Sequence, residues 1–202
     1  MAELFDVIGE VSGRGVIVDS SKSAIYATML EQNSEAEVFV LHLVRDSRAV
    51  AFSHSRKKKT NGSLSSSKFM RRLNATSAAR FWTRTNMESL LLRRSMRNRY
   101  LRVKYEDIVS NPGAFGNTLR RFLSEEQAHS CIDSSDRSTV HVFSGNPMRV
   151  QREINIKPDV EWITGMKRKD RLIVTCLTLP LLLQFKYPII PRNQRNVRPD
   201  VS

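Results

Sequence analysis

Cysteine is nearly absent from the 202-residue chain: only Cys131 and Cys176 occur, in apolar, helical-looking surroundings and without CxxC or Cys/His spacing. That pattern excludes a metal or redox site of the usual spaced form and leaves reduced structural thiols as the expectation. Long apolar runs are missing too. The longest, Leu172 to Phe185, is broken by Thr175, Thr178, Pro180 and Gln184, and it falls short of the roughly 20 residues a membrane-spanning helix needs. A buried helix is expected there. Near the start, Glu3 and Asp6 stand where an export signal is basic and then continuously apolar, so the chain reads as cytoplasmic. No GxxxxGK[ST] phosphate loop is present.

Acidic residues are also in short supply. Twenty Asp and Glu against 33 Lys and Arg leave a formal net charge of +13, which draws anionic ligands to any cleft it lines. The basic clusters Arg56 to Lys59, Arg71-Arg72 and Arg93 to Arg102 have no interleaved aromatics, and no helix-turn-helix or RNA-binding motif accompanies them. They read as solvated surface, so phosphorylated nucleotides are preferred over nucleic acid as partners; a basic nucleic-acid-binding protein is kept as the alternative.

What is present is an alternation of strand and helix. Leu4, Phe5, Ile8 and Val11 recur at helical spacing until Ser12-Gly13-Arg14-Gly15 stops them. Gly15 to Ser20, GVIVDS, reads as a short buried parallel strand, and Ser21 to Asn33 as a helix. Val38 to Val44, VFVLHLV, is a second continuous apolar strand, and Arg45-Asp46-Ser47 opens a helix through Phe52. Arg56 to Ser67 has no apolar period and reads as a loop. A long helix is expected over about 69–96, a third strand over Tyr100 to Tyr105, and a helix from Asn111-Pro112 to Phe122. Ser144 to Arg149, SGNPMR, has loop chemistry, and a last helix runs from about Lys169 to Lys186. The expectation is a single α/β domain over residues 1–190 with a mainly parallel sheet, followed by a polar tail over 191–202.

Ligands of such sheets bind at the carboxyl ends of the strands. Three places qualify: Asp19 to Lys22, Arg45 to Ser47, and Tyr105 to Asp107. Arg45 leaves a strand just as a helix begins, so its guanidinium fork and the helix's free N–H groups can converge on one phosphate. Ser53, eight residues on, offers a hydroxyl from the same helix. Spacing alone supports equally well an Arg45 that pairs with Asp46 or Glu106.

The ordered segments VIVDSSK at 16–22, HLVRDSRAVAFS at 42–53, VKYEDIVSNP at 103–112 and HVFSGNPMR at 141–149 resemble a bacterial-type sulfotransferase family that uses 3′-phosphoadenosine 5′-phosphosulfate. EWITGMKRKDRLIVTCLTLPLLLQFKYP at 161–188 is similar to that family's terminal helix. The resemblance implies a P-loop-like sulfotransferase fold and assigns Arg45 and Ser53 to the cofactor's 3′-phosphate, with Arg48 as a weaker candidate. It places Tyr105 near the adenine and closes the Gly145 to Arg149 loop over the 3′-phosphate, with Arg149 as a second cation.

By the same resemblance Lys22, at the end of the DSSK turn, is the catalytic lysine beside the leaving phosphate. Sulfuryl transfer needs in-line positioning and cations against developing charge rather than elaborate covalent chemistry. The acceptor would be a hydroxyl of a small molecule or carbohydrate. Asp19, His54 and His141 are candidates for its general base, none singled out by spacing. No metal is expected. The family opens with a strand and a GxxRSGST-type turn that cradles the 5′-phosphosulfate, and nothing upstream of Val16 has that form. The fold is therefore expected to be N-terminally incomplete, with an unpaired sheet edge prone to self-association and with turnover in doubt. A P-loop phosphotransferase and a non-catalytic remnant are further readings.

Overall fold

The computed structural model describes residues 2–13, 15–20, 23–33, 36–56, 72–123 and 158–191. They form a mixed α/β structure, mostly helical, with one two-stranded parallel sheet. Two compact units are distinguished: one holds the described residues up to Val44 and from Thr85 to Leu123, the other Arg45–Arg84 and Pro158 onward.

In the first unit, helices α1 (Ala2–Ser12) and α2 (Ala24–Asn33) precede strand β1 (Val40–Val44). Ser23 starts α2 by accepting the Tyr26 N–H at 3.2 Å, a hydroxyl satisfying one of the first-turn donors. β1 pairs in parallel with β2 (Tyr100–Lys104), Val40 beside Tyr100 and Val44 beside Lys104. Between the strands lie the second part of α4 (Ala75–Met96) and a 3-10 turn, Arg97–Arg99, whose Arg99 donates to Glu31 of α2 at 2.8 Å. After β2 come α5 (Tyr105–Ser110) and α6 (Pro112–Phe122). Asn111 caps α6 by accepting the Ala114 N–H at 3.0 Å, and Pro112 occupies the first helical position, where a missing N–H costs nothing. Phe122 meets Phe39 edge to face at 5.5 Å.

Two expectations need correction. Residues 15–20, read as a buried strand, form no strand, and Val18 is 80% exposed. β-branched composition describes a fit to a pleated, half-covered surface, and these residues have no ladder partner among the described residues to supply one. β1, read as an apolar run buried throughout, is one-sided: His42 and Val44 are buried while Leu41 and Leu43 are exposed.

The second unit packs α3 (Ser47–Ser55) against α7 (Glu161–Gly165) and α8 (Arg168–Gln184), with the first part of α4. Its core joins Ala51, Ala78, Ala79, Met166 and Val174, with Phe52 and Leu73 against them. Small residues let the helices close on one another. Gly165 packs closely here: a Cβ there would lie 2.8 Å from Cζ of Phe52, so a larger residue would have to push that ring aside. α8 tolerates Pro180 inside it at the cost of one helical hydrogen bond. It ends with Lys186 in the left-handed region (φ 58°) while the Lys186 and Tyr187 N–H groups return to Leu183 and Leu182 carbonyls at 2.9 and 2.8 Å. This is the helix-ending pattern that glycine usually serves.

Candidate functional site

The expected phosphate site centres on the junction from β1 to α3. Asp46 is the N-cap of α3, and its carboxylate accepts the Arg48 backbone N–H at 2.9 Å. The same carboxylate takes both edges of the Arg48 guanidinium, from Nε at 2.9 Å and Nη2 at 2.7 Å. Arg48 also donates to the Ile189 and Pro188 carbonyls at 2.5 and 2.7 Å, and its guanidinium lies 4.8 Å from the Trp162 ring centroid. With 0% exposure, Arg48 is a structural centre of the unit. It is withdrawn from the phosphate-binding candidates, because its donors are taken up by the protein's own oxygens. Beside it, the Ser47 and Thr178 hydroxyls meet at 2.8 Å, and Thr178 returns its proton to the Val174 carbonyl at 2.8 Å.

Arg45 differs from Arg48 in every respect that matters for ligands. Its backbone carbonyl accepts the Trp82 indole N–H at 2.9 Å, which fixes the main chain. Its side chain keeps 24% exposure and pairs with Asp159, also 24% exposed. At the other end of α3, Arg56 pairs with Glu161. Asp159 and Glu161 are two residues apart, a span of about 7 Å at most. Arg45 and Arg56 bracket a helix whose rise is about twice that. Ser53, on α3 between the two arginines, is half-buried.

Comparison with family models, curated proteins and solved structures gave no match. The functional reading therefore rests on the residues themselves. Of those expected to bind the cofactor, Arg45 and Ser53 lie in the second unit on one helix and its lead-in. Tyr105 is half-buried at the start of α5 in the first unit. Lys22, Gly145 and Arg149, together with His141, lie outside the described residues.

A second polar cluster was not anticipated as such. His42, expected to pack in the sheet, does so with 8% exposure, and both its ring nitrogens are engaged. Nδ1 is 2.5 Å from the Tyr100 hydroxyl and Nε2 is 3.0 Å from Oδ1 of Asn86 on α4. The set is self-consistent for a neutral ring: the Tyr100 O–H donates to Nδ1, and Nε2–H donates to the Asn86 oxygen. Burial holds the His42 pKa below its ordinary value; the Asn86 hydrogen bond opposes that shift, while the positive charge of Arg102, directly across the ladder, adds to it. Burial also pushes the Tyr100 phenol up to about 12, against the pull of Arg102 and Arg93.

Elsewhere in the first unit an open groove between α2 and α4 is lined by Ile25, Thr28, Leu91 and Leu92, with Glu88 at its side. Among the described residues, neither Arg45, Ser53 nor Tyr105 borders it. Among the described residues, no three of His, Cys, Asp and Glu gather as a metal would require, and no helix is long and apolar enough to cross a membrane. The residues that sequence reasoning missed are Asp159, Glu161 and Trp162. The EWITG segment carrying two of them reads in sequence as the lead into a terminal helix, and its role depends on Arg56 and Arg48, more than 100 positions away.

Proposed function

We propose that the protein is a sulfotransferase using 3′-phosphoadenosine 5′-phosphosulfate, in which Arg45 and Ser53 read the cofactor's 3′-phosphate and a hydroxyl compound accepts the sulfuryl group. The observation that carries this reading is the state of Arg45: a partly exposed guanidinium at the end of a parallel strand, already seated on an oxyanion, the Asp159 carboxylate. A planar guanidinium fork accepts carboxylate and phosphate oxygens in the same geometry. The buried Arg48 and the cap at Asp46 hold the backbone around Arg45 firm, which is what a ligand-facing side chain needs from its surroundings.

The ordered motifs add to this. In sequence, RDSRAVAFS carries Arg45 and Ser53, YED carries Tyr105, and SGNPMR carries Gly145 and Arg149. Lys22 is the cation assigned to the leaving phosphate, and the enzyme works in the cytoplasm under this reading. The test is isothermal calorimetry of the whole chain with 3′,5′-adenosine bisphosphate and with 5′-AMP, which differ only in the 3′-phosphate. A preference of about tenfold or more for the bisphosphate is expected from one charge-assisted contact. Equal affinity for the two nucleotides would remove the basis of the proposal.

A further inference from the structure

We propose that Asp159 is a built-in competitor for the 3′-phosphate, so that the cofactor binds Arg45 by exchange with this carboxylate. The inference rests on the reading of Arg45 given above and adds the regulation of that site. Three observations carry it. First, the Arg45–Asp159 pair is partly open to solvent, each side chain 24% exposed, whereas Arg48 and Asp46 are 0% and 8% exposed. Water can therefore solvate both charges as they part, and separation costs far less than it would in the interior.

Second, Oδ1 of Asp159 is buried with no hydrogen-bond partner among the described residues. A carboxylate with one oxygen unsatisfied is held less well than its contact with Arg45 suggests, because burying that oxygen costs free energy that release recovers. Third, among the described residues the other ion pair on this short segment is Arg56–Glu161, with 39% and 66% exposure, a weak tether. Immediately beyond it Trp162 is buried beneath Arg48. The chain is thus firmly anchored from 162 onward and lightly pinned at 159–161, an arrangement suited to a carboxylate that can step aside.

The ordinary alternative is a structural tie that fastens residues 159–161 to α3. The two roles predict opposite results for Asp159→Asn, which keeps the shape and removes the charge. Under the exchange, the whole-chain variant binds 3′,5′-adenosine bisphosphate about two- to tenfold more tightly than the wild type, while Asp159→Glu, which keeps the charge, shows no such gain. Glu161→Gln gives a smaller gain than Asp159→Asn. A cooperatively folding Asp159→Asn chain that binds no more tightly overturns the exchange. If the wild type nevertheless prefers the bisphosphate to 5′-AMP, the site reading survives that result; if neither chain binds, both readings fall. An Asp159→Asn chain that no longer unfolds cooperatively identifies the pair as a structural tie and likewise overturns the exchange.

Discussion

The two units each bury a polar cluster, and the clusters are built on opposite principles. Around His42 the first unit holds a neutral chain, phenol to imidazole to amide. Around Arg48 the second unit buries a full positive charge and satisfies it with one carboxylate, two main-chain carbonyls and an aromatic face. A neutral cluster loses little when one member is removed but is sensitive to protons. A charged one is strongly destabilised when either partner is taken away. The difference also separates the two arginines of RDSR. Arg48 is spent on the fold, whereas Arg45, three positions earlier, stays a quarter exposed in its pair with Asp159.

The largest effect that tests this contrast is expected from Arg48→Ala. It strands the Asp46 carboxylate and leaves the Pro188 and Ile189 carbonyls without this donor, at a cost of about 3–5 kcal/mol, read as a lower urea midpoint. A loss under about 1 kcal/mol would mean that the charge is far better hydrated than its burial indicates. Tyr100→Phe in the first unit removes only a hydroxyl and is expected to cost about 1–2 kcal/mol in the same assay.

The pH dependence follows from the sign of the His42 shift. Its folded pKa is depressed, so between that value and 6.5 the unfolded chain binds more protons than the folded one. The stability His42 contributes is full above pH 6.5 and is lost as the pH falls through the folded value. In His42→Gln, stability should no longer fall through this window. A wild-type profile flat from pH 7 to 5 would contradict the neutral cluster. The smallest effect is a gain: Lys186→Gly relieves a left-handed residue at the end of α8, next to the carbonyls that hold Arg48, and should raise stability by at most about 1 kcal/mol.

Much of the secondary structure was legible in the sequence because its signals are local. Asp46 before an apolar helix, Asn111-Pro112 at a helix start, and the runs at 38–44 and 100–105 all appear as elements within a few residues of their expected bounds. Residues 15–20 had the composition of a strand without the neighbour that makes one. The strand expected over Tyr100 to Tyr105 ends at Lys104, and Tyr105 already opens α5, a helix that the strand pattern does not signal. For the site, the sequence marked Arg45 and Ser53 but not their surroundings. It could not divide the labour between Arg45 and Arg48, since that is decided by Asp159 on one side and by carbonyls at 188 and 189 on the other. Such partners have no spacing signature.

Calorimetric titration of the folded chain with 3′,5′-adenosine bisphosphate, wild type beside Arg45→Ala, tests the central claim most directly. Saturable binding that Arg45→Ala weakens about ten- to a hundredfold is the predicted result. Binding of equal strength in both chains, or none by a folded wild type, would contradict it.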